Sequence, residues 1–271
     1  MKVAAIQMVS TPDVSTNLAA AGRLLANAAQ QGAELAVLPE YFCVMGHHDT
    51  DKLALQEPFG DGPIQRFLSD QALVLGLWLV GGTLPLATDD LADRAHVRNA
   101  CLAFDPTGQC VARYDKMHLF RFEQGNEAYD ETRVLQSGDQ PVSFSLPSRD
   151  GFTYTVGLSV CYDLRFPELY RTLKADLLLV PSAFTFTTGQ AHWDVLLRAR
   201  AIENLAFVVA AAQGGVHENG RRTWGHSLIA DPWGEVLAQR SEGAGVVMAD
   251  LDARVLADRR LQLPALSHRC L

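Results

Sequence analysis

The sequence predicts an α/β protein built as a four-layer αββα sandwich of two mixed sheets. Three observations predict it. Short apolar β-type runs alternate with helix-period runs, as in βαβ units. Asp-Pro-x-Gly turns add antiparallel hairpins to those units. The order of segments also repeats once. Ala33–Phe42 (AELAVLPEYF) resembles Ala175–Phe184 (ADLLLVPSAF), and Leu102–Gly108 (LAFDPTG) resembles Leu228–Gly234 (LIADPWG) in the same order. Two similar halves would each contribute one sheet with helices on its outer face, and the sheets would pack on each other. The alternative is that buried strands and Pro-Gly turns look alike in any such chain.

The elements follow in order. Lys2–Val9 reads as a strand. Ser15–Gln31 reads as an Ala/Leu-rich helix, with Ser15 or Asp13 as its cap and Gly32 just past its end. Glu34–Leu38 is a buried strand, Pro63–Leu75 a helix and Leu77–Leu84 a strand. Val97–Asp105 and Gln109–Tyr114 flank the turn Asp105–Gly108 and form a hairpin. Thr155–Val160 is a strand running into Cys161. Pro167–Lys174 is a short helix, Asp176–Val180 a strand and Gln190–Asn204 a helix. Ala206–Ala212, Ser227–Ala230, Glu235–Gln239 and Gly245–Leu251 complete the strands. No linker, low-complexity tract or charge block divides the chain, so residues 1–271 are expected to form one domain.

Composition narrows the function. The chain has 271 residues, 48% of them hydrophobic, which is enough for a sizeable core. A net charge of −8 argues against a nucleic-acid partner and against a basic membrane-binding face. The longest apolar run, near Leu205 to Ala212, is too short to span a bilayer. The N-terminus lacks a signal peptide's apolar core, so a cytoplasmic protein is expected. Five cysteines at wide spacings, without a CxxC pair, fit neither a disulfide framework nor a zinc knuckle. His47, His48 and Asp49 form a local cluster without a third spaced ligand group, and neither metal nor cofactor is expected.

Amide hydrolysis needs a nucleophile, a base to activate it and a donor for the oxyanion. Cys161 closes the strand TVGLSV and precedes YDLRFPELYR, a strand–turn–helix arrangement that exposes a nucleophile. Backbone N–H groups at the helix start can face the oxyanion there. Glu40 follows the buried strand ELAVLP, and Lys116 follows the strand QCVARYD. A carboxylate and an ammonium at the ends of buried strands, near a thiol, are costly to desolvate unless they pair. A Cys–His pair, drawing on His118, His192 or His226, is the alternative, but no protease-type pattern surrounds Cys161.

These residues carry a resemblance. Leu-Pro-Glu40, Tyr-Asp-Lys116-Met-His-Leu-Phe and Gly157-Leu-Ser-Val-Cys161-Tyr-Asp-Leu-Arg-Phe-Pro-Glu resemble, in order and spacing, the three catalytic motifs of the carbon–nitrogen hydrolase (nitrilase) superfamily. The resemblance implies the αββα fold and a linear-amide hydrolase working through a Cys161 thioester. It implies Glu40 as general base, Lys116 as proton donor and oxyanion stabiliser, and release of ammonia. A second glutamate, implied after the lysine, fits Glu131 best, with Glu123 as its rival because RFEQGNEAYD departs from the family pattern.

SAFTFTTGQAHWDVLLRARAIEN and VVAAAQGGVHENGRRTWGHSLIADPWGEVLAQ, with Gln213 and His217, are similar to the branch acting on deaminated glutathione. The omega-amidases acting on 2-oxoglutaramate are the near alternative, a nitrilase the next, and a catalytically inactive binding protein of the same fold the alternative from another class. Both branch substrates are small anionic α-keto acid amides. Arg165, Thr187, Thr188 and Tyr162 are the residues expected to bind them, with a bridge to Glu168 as the other reading of Arg165. Leu164, Phe166, Leu169 and Tyr170 make the helix after Cys161 more apolar than a solvated helix needs, which predicts a homodimer or higher homo-oligomer.

Overall fold

A computed structural model describes residues 1–90, 92–125 and 127–270. In chain order the strands are β1 (Lys2–Gln7), β2 (Leu35–Val37), β3 (Trp78–Val80), β4 (Leu84–Ala87), β5 (Val97–Phe104) and β6 (Cys110–Asp115). There follow β7 (Arg121–Gln124), β8 (Glu127–Asp130), β9 (Ser143–Pro147), β10 (Thr153–Leu158), β11 (Leu177–Leu179) and β12 (Phe207–Ala210). The last are β13 (Gly214–Val216), β14 (Arg222–Trp224), β15 (Ser227–Ala230), β16 (Val236–Arg240) and β17 (Gly245–Asp250). The helices are α1 (Val14–Gln30), α2 (Asp51–Ala54), α3 (Pro63–Leu75), α4 (Pro167–Leu173), α5 (Phe186–Asn204) and α6 (Ala253–Gln262).

The strands build two large sheets on one plan. In the first the order is β17-β1-β2-β3-β5-β4, with β6 also paired to β5; in the second it is β16-β15-β12-β11-β10-β9. Each has a parallel trio, β1-β2-β3 or β10-β11-β12. Beside the trio lies an antiparallel hairpin, β5-β6 or β15-β16. The two repeated sequence segments therefore occupy equivalent places. AELAVLPEYF supplies β2 and ADLLLVPSAF supplies β11, and each Asp-Pro-x-Gly turn closes the matching hairpin.

Alternation along β1 shows why the layers stack. Val3 and Ala5 enter the core between the sheets, while Ala4 and Ile6 face the opposite core with Ala21, Leu25 and Leu68 of α1 and α3. Trp193, Leu197 and Ala201 of α5 cover the second sheet, and β1 packs against β12 and β15 across the interface. The result is the four-layer sandwich. Asp13 caps α1 by accepting from the Thr16 N–H at 2.7 Å, and α3 runs from Pro63 at its first turn to a left-handed Gly76.

Four expectations need correction. Leu77–Leu84 is two strands, because the chain turns at Gly81-Gly82. Gly82 has φ +56°, and a Cβ there would lie 2.1 Å from the Pro39 carbonyl. α5 starts at Phe186, four residues early, because Thr185 caps it and accepts from the Thr188 N–H. The ribbon β7-β8, the ribbon β13-β14 and α6 were not expected. Finally, Leu164, Leu169 and Tyr170 face this chain's own core, so they do not offer a surface for association.

Candidate active site

Glu40, Lys116 and Cys161 stand at the ends of three strands, β2, β6 and β10. The turn at Gly82 lets Thr83 accept from the Tyr41 N–H at 2.9 Å, fixing the loop that carries Glu40. Glu40 is 1% exposed. Its Oε1 accepts from Lys116 Nζ at 2.9 Å and from Asn99 Nδ2 at 2.9 Å, and its Oε2 from the Ala183 N–H at 2.9 Å. Behind it, Gln213 Nε2 donates to the Glu40 carbonyl, and His217 bridges Ser10 and Thr223. The residues that suggested a branch thus act as the backing of the base.

Lys116 lies between two carboxylates. Its Nζ reaches Glu131 Oε2 at 2.8 Å and Oε1 at 3.0 Å as well as Glu40. Glu131 in turn accepts from Tyr41 Oη at 2.8 Å and from the Phe120 N–H at 2.7 Å. Glu123, the rival, sits exposed on β7. Burial opposes charge on Lys116, but Glu131, Glu40 and Cys161 together hold its proton affinity well above the usual lysine range. Burial opposes charge on Glu131 too, yet the facing ammonium keeps its carboxyl below the ordinary value.

Cys161 is buried at a sharp bend with φ +51°. Asp163, fully buried, holds that bend. It accepts from the Val160 N–H at 2.8 Å, Tyr114 Oη at 2.7 Å, the His118 N–H at 3.0 Å and His118 Nδ1 at 2.7 Å. It thereby ties the lysine segment to the cysteine segment, and this is where His118 is used. The Cys161 N–H is engaged by the Pro181 carbonyl at 2.9 Å, so this amide does not face an oxyanion. Burial pushes the thiol well above its ordinary range. Glu40, its hydrogen-bond partner, adds to the rise, and Lys116 opposes it.

Around Cys161 the pocket is lined by Phe120, Tyr162, Arg165, Phe184, Thr185, Thr188 and Arg221 among others. Arg165 meets the His192 ring (Nη1···Nδ1 3.2 Å) and lies over Tyr162 and Phe184, rather than bridging to Glu168. Thr188 lines the pocket, its hydroxyl shared with Thr185 at 2.8 Å. Thr187 is outside the lining and donates to Glu127 at 3.1 Å instead. Arg200 is buried, donates to the Leu164 carbonyl at 2.7 Å and pairs with Glu203 at 2.9 Å.

Comparison with known proteins decides the family: the carbon–nitrogen hydrolase model matches residues 2–260. The chain belongs to the carbon–nitrogen hydrolase family. This carbon–nitrogen hydrolase is 41% identical to the deaminated glutathione amidase of Synechocystis sp., over 98% of this chain and 97% of that one. It is 39% identical to the deaminated glutathione amidase of Homo sapiens, over 98% and 81%. Among solved structures, Saccharomyces cerevisiae Nit3, described as a member of branch 10 of the nitrilase superfamily, superposes with TM-score 0.85 at 28% identity, covering 100% of this chain and 97% of that one. The carbon–nitrogen hydrolase described here is an amide-cleaving enzyme.

Sequence reasoning did not single out Asn99, Ala183, Phe120, Phe184 or Arg221. Ala183 acts through a backbone N–H, which leaves no side-chain signature. Arg221 sits in a polar turn between β13 and β14, where Asn219-Gly220-Arg221-Arg222 reads like any solvated loop.

Proposed function

We propose that the enzyme hydrolyses the amide bond of deaminated glutathione through a thioester on Cys161. The observation that supports this chemistry most is the convergence of a buried thiol, a carboxylate and an ammonium held by a second carboxylate. As Sγ attacks the amide carbon, Glu40 takes the thiol proton. The developing oxyanion is stabilised by Lys116. Collapse breaks the C–N bond, and Glu40 returns the proton to the leaving nitrogen. Water then attacks the thioester with Glu40 again as base, and the proton finally goes back to sulfur as the acid departs. Glu131 is a positioning residue that holds Lys116. Because two carboxylates keep Lys116 protonated, its part is fixed charge, and proton donation falls to Glu40. This replaces the donor role that the resemblance implied.

The substrate is supported by the names of the near-full-length relatives and by the pocket's cations. In this reading Arg165, which lies over Tyr162 and Phe184, takes the α-keto acid carboxylate, with Thr188 as a hydroxyl partner. The nitrogen of this amide belongs to the cysteine of the substrate, so cysteinylglycine leaves; from a primary amide such as 2-oxoglutaramate, ammonia leaves. The test is kcat/KM for deaminated glutathione, 2-oxoglutaramate, a simple nitrile and an N-carbamoyl amino acid, side by side. Deaminated glutathione is expected to lead, and a nitrile or carbamoyl substrate in front would overturn the reading.

A cytoplasmic homodimer belongs to the same reading. The free cysteines agree with a reducing compartment. Val195 and Ile202 share one exposed face of α5, and Ile202 reaches Gly234 beside the half-exposed Trp233. Light scattering is expected to give a dimer, and Val195→Glu to weaken it. A wild-type monomer at micromolar concentration, or a dimer indifferent to the substitution, would refute this surface.

A further inference from the structure

Beside the pocket over Cys161 opens a groove of about 840 Å³. Its lining includes His47–Thr50 and Lys52, the turn Asn219–Arg222, and Glu127 and Tyr129 of β8. Arg221 lines both the groove and the pocket. An amide has an acyl half and an amine half on either side of the carbon attacked by Cys161. The pocket over Cys161 holds the acyl half in the reading above, and the groove is the space that adjoins it at Arg221.

The groove's charge runs against that of the chain. The chain carries −8, but this lining has the cations Lys52, Arg133, Arg221 and Arg222 against the carboxylates Asp49 and Glu127. Arg133 and Arg222 are shared with Asp130 and Glu242 outside it. Lys52 and Arg221 are different: Lys52 is buried and Arg221 half-buried, and neither has a close anionic partner, the Lys52–Asp49 pair being a long one. Lys52 is 9% exposed; its Nζ lies 3.4 Å from Asp49 Oδ1, longer than a charge-assisted bond of about 2.8 Å, and 4.7 Å above the Tyr41 ring. Arg221 donates to the Ala183 carbonyl at 3.1 Å and approaches the Met45 sulfur at 3.9 Å. Its Nε is buried and has no partner among the described residues. A carboxylate in the groove would supply what both lack.

We propose that this groove binds the amine half of the substrate and selects amines bearing a carboxylate, with Lys52 and Arg221 as its anion-binding cations. The proposal rests on the amidase reading above. Polarity fits: Glu40, which returns the proton to the leaving nitrogen, is followed directly by Tyr41 of the groove lining, whereas Arg165 lines the pocket only.

The test uses one acyl chain and three amines: the γ-amides of 2-oxoglutarate with ammonia, with cysteinylglycine, and with cysteinylglycine whose carboxylate is capped as a carboxamide. Wild-type enzyme is expected to prefer the free carboxylate over the capped form by about tenfold or more in kcat/KM, the size of one charged hydrogen bond. Lys52→Met is expected to bring that ratio close to one, and Lys52→Arg to retain most of it. A variant that folds poorly loses active enzyme for both substrates alike, so the ratio is unaffected. Equal wild-type rates on free and capped amides, or a ratio unchanged in Lys52→Met, overturns the proposal. Turnover of the primary amide alone removes the groove proposal and leaves the amidase standing; turnover of none of the three removes both.

Discussion

Neutralising Glu40 and neutralising Lys116 are expected to move the ionisation of Cys161 in opposite directions. Burial, then Glu40, hold the thiol up, and Lys116 opposes them. Lys116 Nζ and Glu40 Oε1 are 2.9 Å apart, so the two charges act on sulfur from nearly one place and largely cancel. Removing either exposes the other. A unit charge about 4 Å away contributes about 4 kcal/mol at an effective dielectric constant of about 20, or about three pH units. The assay is the rate of iodoacetamide alkylation at Cys161 against pH, read by peptide mass spectrometry. In Glu40→Gln the profile should move to lower pH, and in Lys116→Met to higher pH. Glu131 remains to compensate Lys116 in the first variant. Amide turnover should nevertheless fall by about 10²- to 10⁴-fold in Glu40→Gln, because a more ionised thiol cannot replace the lost base. Shifts in the same direction, or shifts well under about one pH unit in both variants, would refute the charge arrangement.

Cys161→Ala and Cys161→Ser are expected to abolish turnover while melting like wild type; activity within tenfold of wild type in both would sink the nucleophile assignment. Asp163→Ala leaves the buried Tyr114 and Val160 donors without their acceptor, at about 1–3 kcal/mol each, and frees the half-buried His118, so denaturant unfolding should show a loss of about 3 kcal/mol or more. A loss well below about 1 kcal/mol would mean Asp163 does not hold the bend. Glu131 has a folded-state carboxyl below its ordinary value of 4.5, so its stabilising contribution is present above that pH and is lost as pH falls through the folded value. Glu131→Gln should flatten the acid limb of stability against pH, and an unchanged limb would contradict the pairing with Lys116. Lys116→Arg should not restore acylation, because a planar fork cannot sit as a point charge between two carboxylates; near wild-type single-turnover rates would make the lysine a structural partner only.

Much of the fold was legible because its signals are local. The apolar runs of β1, β2 and β10 alternate or stay buried, Pro63 and Gly76 bracket α3, and two Asp-Pro-x-Gly turns mark the hairpins. The repeated order of these signals also disclosed the matched sheets. The misses have equally local causes. β7 and β8 are short polar strands, β7 largely exposed and β8 largely half-buried, and Phe120 just before them contacts Phe122 and Tyr129. In α6 only Leu256 is buried, so the helix shows no apolar stripe to read. Within the site, Glu40, Lys116 and Cys161 stand out because ionisable and nucleophilic groups end buried strands. Asn99 and Arg221 do not, since their meaning comes from segments distant in sequence that the fold brings beside Glu40 and Ala183. Arg165 was legible as a cation near the nucleophile, but its partner His192 is 27 residues away and one helix over.

The central claim is a covalent acyl-enzyme on Cys161, and rapid-quench mass spectrometry of the enzyme with deaminated glutathione tests it most directly. Acid quenching within the first turnover should give an intact mass increased by the 2-oxoglutaryl group, mapped to the peptide containing Cys161, with cysteinylglycine released in a burst of equal stoichiometry. A burst without an adduct, or an adduct on Cys43, Cys101, Cys110 or Cys270 in place of Cys161, would contradict the account.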